Sequence, residues 1–161
     1  MQKNVLARAA IAVLFGVLAS SAWAQSAPVK LRFGHAHPTT DSQHVAALEF
    51  AKKVKERTQG GIEIQVFPSN QLGNDNTMIA GVRGGTIDIE MSGNPYFTGI
   101  EPKLNVLDLP YLFDDIAHVA KVLDGSIGRS LLNDLESKQM KGLAFWEIGF
   151  RSLANSRRPV N

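Results

Sequence analysis

Val29, Leu31 and Phe33 alternate with Lys30 and Arg32, the period-two pattern of a strand with one apolar face, and the pattern ends near Gly34. Pro38-Thr39-Thr40-Asp41 then supplies a turn and a helix cap. Behind it, Ala47, Phe50, Ala51 and Val54 recur at i, i+3, i+4 and i+7, a single apolar helical stripe that Gly60-Gly61 stops. Glu49–Lys53 and Lys52–Glu56 are spaced to pair on its wet side. Ile62, Ile64 and Val66 alternate with Glu63 and Gln65, a second strand ending at Pro68. The loop 69–73 leads to a short helix over roughly 74–82, broken by Gly84-Gly85. Ile87, Ile89 and Met91, alternating with Asp88 and Glu90, predict a third strand that runs into Ser92-Gly93-Asn94-Pro95. Pro102 and Pro110 bracket an irregular segment containing the apolar run Leu107–Phe113. Helices are expected over 116–123 and 126–138, the second with Ile127, Leu131 and Leu135 along one face. Gly142–Phe150, apolar but for Glu147, reads as a buried strand.

Strands alternating with helices predict an α/β chain with a largely parallel sheet. In such sheets ligands sit beyond the carboxyl ends of the strands. Those ends carry Gly34-His35-Ala36-His37, Pro68–Asp75, Ser92–Asn94 and Gly149–Arg151.

Lys3 and Arg8 precede an apolar stretch over 9–19, and Ala22-Trp23-Ala24 closes it with small residues at the positions a signal peptidase reads. Residues 1–24 are therefore expected to be a secretory signal peptide cut before Gln25, giving an exported, periplasmic product. The stretch is about half the roughly 20 apolar residues a spanning helix needs. The chain has 161 residues, 17 Lys+Arg against 15 Asp+Glu, no cysteine and 7% aromatics. This suits one ordinary domain or part of a larger one, and excludes a disulfide-built mini-protein, a cysteine metal cage and thiol catalysis. Without Lys3 and Arg8 the charges balance at 15 each, so the basic isoelectric point does not point to nucleic acid.

His35, His37 and His44 offer histidines alone, short of a complete metal-ligand set, and read as pocket-lining or solvated side chains. Asp88 and Glu90 lie two apart on a strand, where a carboxylate pair is conceivable, but alternation with Ile87, Ile89 and Met91 makes them its polar face. Gly81–Gly85 lacks the Gly-Lys-Ser/Thr ending of a phosphate loop, and neither Ser92 nor Ser126 sits in a nucleophile elbow. Arg151 follows the apolar run Ala144–Phe150 and is either a surface residue or a fork for a carboxylate, gripped by two charge-assisted hydrogen bonds. Asp75, near a helix start, is an ordinary first-turn acid or a polar contact to ligand.

In order and spacing, several motifs resemble the solute-binding proteins of TRAP (tripartite ATP-independent periplasmic) transporters. They are Leu31-Arg32-Phe33-Gly34-His35, Phe50-Ala51-Lys52-Lys53-Val54, Gly61-Ile62-Glu63-Ile64 and Pro68-Ser69-Asn70-Gln71-Leu72-Gly73. Gly85-Thr86-Ile87-Asp88-Ile89, Leu109-Pro110-Tyr111-Leu112-Phe113 and Gly149-Phe150-Arg151, with Asn155 and Pro159, complete the set. The resemblance implies a periplasmic-binding-protein type II-like two-domain clamshell that closes on an organic acid. Residues 25–150 would form most of the first lobe, and 151–161 would begin the crossing into the second. It implies Arg151 as a secondary carboxylate contact, the dominant arginine of relatives matching a position beyond Asn161. It sets Asp75 near the pocket, with His35 and Asn94 in the same wall. The implied function is capture of a small organic acid and delivery to TRAP integral membrane subunits, without catalysis, cofactor or metal. A binding protein of an ATP-driven (ABC) importer shares the architecture; a secreted hydrolase using Asp88 and Glu90 or the histidines is the reading from another class.

Overall fold

In the computed structural model, which describes residues 27–150 and Ser156, strand β1 (Val29–His35) is the middle of a three-stranded parallel sheet. It lies beside β2 (Ile62–Phe67) from Val29↔Ile62 to Gly34↔Phe67, and beside β3 (Ile89–Met91) from Phe33↔Ile89 to His35↔Met91. Parallel neighbours need crossovers, and helices α1 (Ser42–Arg57) and α2 (Asp75–Arg83) supply them. Helices α3 (Ile116–Leu123) and α4 (Ser126–Asp134) follow two 3-10 segments, Asn94–Tyr96 and Pro102–Asp108. The signal peptide expected over 1–24 and Arg151 fall outside the described residues.

Three of the helices start on a side-chain cap, which satisfies an amide the helix itself cannot. Asp41 accepts from Gln43 N at 2.8 Å, Asn74 from Thr77 N at 3.0 Å and Asp115 from His118 N at 2.7 Å. The stripe of α1 is buried at Ala47, and its burial extends back to Gln43 and His44. Glu49 and Lys53 pair at 3.5 Å, whereas Lys52–Glu56 is not among the ion pairs of the described residues; Lys55 reaches Glu63 of β2 at 2.7 Å.

The two crossovers cover opposite faces of the sheet. Phe33 meets Phe50 of α1 edge-on, with ring centroids 6.2 Å apart. A Cβ on Gly34 would stand 2.7 Å from Met78 Sδ of α2, so glycine is what lets this helix close on β1. A second cluster of Ile79, Leu104, Leu131, Leu135 and Met140 ties α2 to α4 and the Pro102–Asp108 segment.

Three expectations need correction. The third strand begins at Ile89, two residues past Ile87, because Asp88 turns its carboxylate to Arg32 N at 2.7 Å in place of a ladder carbonyl. The last helix changes to 3-10 at Leu135–Lys138, and Ile127 stands exposed while Leu131 and Leu135 are buried. Gly142–Phe150 joins no sheet among the described residues, and Leu143, Ile148 and Phe150 are 55–65% exposed. An apolar run signals burial without saying against what. Here Phe145 reaches the Ile79–Leu131 cluster and Trp146 reaches Phe33, but nothing described covers the remainder.

Candidate ligand wall at the carboxyl ends of the strands

The exits of β1 and β2 are stitched together by backbone. Ser69 N donates to His37 O at 3.0 Å and Asn70 N to His35 O at 3.2 Å. Ser69, Asn70 and Gly73 take positive φ of 52°, 62° and 113°. A Cβ at Gly73 would also meet Thr77 Cγ2 at 2.8 Å. The Pro-Ser-Asn-Gln-Leu-Gly motif is therefore a local solution: asparagine tolerates the left-handed region, and glycine fits where a side chain would collide.

On the α1 face, His35 is fully enclosed, with its Nε2 3.1 Å from His44 Nδ1. Its Nδ1 has no hydrogen-bond partner among the described residues. Burial first, then His44 and His37, hold its imidazole below the usual histidine range; Asp41 and the backbone of His37 act the other way and less strongly. His37 sits 3.3 Å from Asp41 Oδ2. Among the described residues no three His, Asp or Glu side chains are arranged to hold a metal.

On the α2 face, Glu90 lies in register beside Gly34, over which Met78 of α2 closes. Ser92 Oγ donates to Glu90 Oε2 at 2.5 Å. Burial pushes the Glu90 carboxyl up to about 7, with nearby Asp75 adding to the rise and Ser92 opposing it. Asp75 is half-buried in the first turn of α2. Asp75, Glu90 and Ser92 thus share one corner. Near neutrality it combines an acceptor with a carboxyl able to give or take a proton.

Asn94 faces elsewhere: its amide donates to Leu104 O at 3.0 Å and Asp108 Oδ2 at 2.7 Å, fastening the β3 exit to the following 3-10 segment. His35 and Asn94 both brace the strand ends. Asp88 and Glu90 part company, one on Arg32 N and the other on Ser92. The sequence pattern sets Glu90 on the polar face of its strand. The alternation placed it correctly, but both faces of a parallel sheet are covered by crossovers, so its polar face is not a solvent face. Gln43, which sequence reasoning passed over, is buried and donates to Glu147 O at 3.1 Å; no local pattern marks that contact.

The family model of bacterial extracellular solute-binding proteins, family 7, matches residues 33–161. The chain belongs to this family, that of the TRAP solute-binding proteins. It is 48% identical over 149 residues to the 2,3-diketo-L-gulonate-binding periplasmic protein of Escherichia coli, covering 92% of this chain and 45% of that one. Among solved structures, a TRAP periplasmic solute-binding protein from Ochrobactrum anthropi superposes with a TM-score of 0.80 at 32% identity, over 83% of this chain and 42% of that one. The sugar-acid-binding protein of Advenella mimigardefordensis, in complex with galactonate, gives 0.77 at 33% identity, over 81% and 42%. The chain spans less than half the length of these relatives. The match is to periplasmic solute-binding proteins of the TRAP type, in line with the TRAP resemblance of the sequence motifs.

Proposed function

We propose that this chain is the first lobe of a periplasmic receptor that captures a small hydroxylated organic acid and delivers it to TRAP integral membrane subunits. Residues 1–24 serve as its signal peptide, 25–150 form the lobe, and 151–161 begin the crossing into a second one. The likeness to the 2,3-diketo-L-gulonate-binding protein carries this reading, because it extends over 92% of the chain. The corner of Asp75, Glu90 and Ser92 supports it: those groups suit ligand hydroxyls and repel a second carboxylate. Arg151 grips the ligand carboxylate by a charge-assisted fork. His35 and Asn94 shape the wall from behind, through the loops they hold. Binding to both lobes favours the closed form by the ligand's extra affinity for that form.

Titration calorimetry of the protein from its complete reading frame tests the assignment. Galactonate should bind one per chain, and Arg151→Ala should weaken it about ten-fold or more without lowering the unfolding temperature, as loss of a charge-assisted hydrogen bond requires. Unchanged affinity would remove Arg151 from the site.

A further inference from the structure

The pair His35–His44 joins two elements that no ladder connects. His35 ends β1, His44 stands in the first turn of α1, and their ring nitrogens meet at 3.1 Å in a fully enclosed setting. The tautomer follows from the surroundings. If His44 donated, neutral His35 would carry its hydrogen on Nδ1, which makes no hydrogen bond among the described residues. Buried N–H groups without partners are rare. So His35 donates through Nε2 to His44 Nδ1, and its own Nδ1 stays bare.

A proton added at His35 Nδ1 would create a buried charged donor with no hydrogen-bonded partner among the described residues and only weak relief from the backbone of His37, and one added at His44 Nδ1 would set two donors face to face. The surroundings give little relief. The β1–α1 loop contributes His37, whose ring centroid is 6.0 Å away, and Asp41, already bound to His37 and to Gln43 N. Strand β3 presents Met91 in register, β1 itself presents Phe33, and the β2 exit touches His35 through the backbone of Asn70. Protonated His37 would bind Asp41 more tightly while adding a second positive charge beside His35.

We propose that the His35–His44 pair is an acid-sensitive latch: neutral, it fastens the first turn of α1 to the carboxyl end of β1, and a proton on the pair opens it. Opening also loosens Gln43, one residue away, which holds the carbonyl of Glu147 at 3.1 Å on the approach to Arg151. The latch stands apart from the ligand reading, and its test uses no ligand.

The test is residue-resolved NMR on the ligand-free protein between pH 7.5 and 5.0, following the imidazole of His35 and the exchange of the amides of His44 to Ala47. The His35 ring should titrate below the ordinary value of about 6.5. Exchange in the first turn of α1, corrected for its intrinsic pH dependence, should rise about ten-fold at pH 5.0 while that of α2 holds steady. In the double variant His35→Gln/His44→Gln, whose side chains take up no proton in this range, the rise should vanish. A His35 ring titrating at or above the ordinary value overturns the latch, as does a first turn of α1 no more acid-sensitive than α2. Should the double variant fail to fold, the wild-type titration and exchange decide the matter alone.

Discussion

Glu90 and His35 sit near each other in the sheet and respond to protons in opposite senses. The folded state raises the Glu90 carboxyl from 4.5 to about 7, so between those values it holds more protons than the unfolded chain. That contribution is fully present below pH 4.5 and is lost as pH rises through about 7. His35 is depressed, so its contribution is present above pH 6.5 and is lost as pH falls below that value. Below pH 6.5 the two therefore act on stability in opposite directions. Glu90→Gln should stabilise the protein by roughly 2–3 kcal/mol at pH 8 and by almost nothing at pH 4.5, at about 1.4 kcal/mol per pKa unit. Thermal unfolding at the two pH values checks it, and an equal effect at both would contradict the burial assigned to this carboxyl. Gly34→Ala tests the neighbouring contact: its methyl would crowd the fully buried Met78, and overpacking of this kind costs about 1–3 kcal/mol in urea unfolding.

At the scale of elements, β1, α1 and β2 were legible because each carries its period and its stop signal on its own residues. The start of β3 and the fate of Gly142–Phe150 were not, since both depend on distant partners: Asp88 answers Arg32, and an apolar run becomes a strand only beside a free ladder. The same division holds for the wall. Asp75 was legible from its place at a helix start, whereas the burial of Glu90 required knowing that α2 packs over Gly34. The α2 start makes a prediction at this scale. Asn74→Ala removes the acceptor of Thr77 N and should cost about 1 kcal/mol. It should also raise exchange at the first amides of α2 and leave α1 unchanged; hydrogen exchange would show a different outcome if the cap were idle.

Across the whole molecule, the apolar surface is uneven. Tyr111 is 99% exposed at a positive φ of 59°, with Leu109 beside it, and Leu143, Ile148 and Phe150 stand out near the end of the described residues. Relatives about twice as long have additional chain available to cover them. Among the described residues no helix is long and apolar enough to cross a membrane. The receptor proposal holds that the wall selects charge and hydroxyls together, and ligand-induced thermal stabilisation of the protein from its complete reading frame measures that selection directly. A panel would set galactonate and other hydroxylated monocarboxylates against uncharged sugars of the same size and against unhydroxylated dicarboxylates. At about 100 times the dissociation constant, a true ligand adds about 2.7 kcal/mol of stability. The account predicts that shift for hydroxylated monocarboxylates alone; equal stabilisation by the uncharged sugars, or none by any acid, would contradict it.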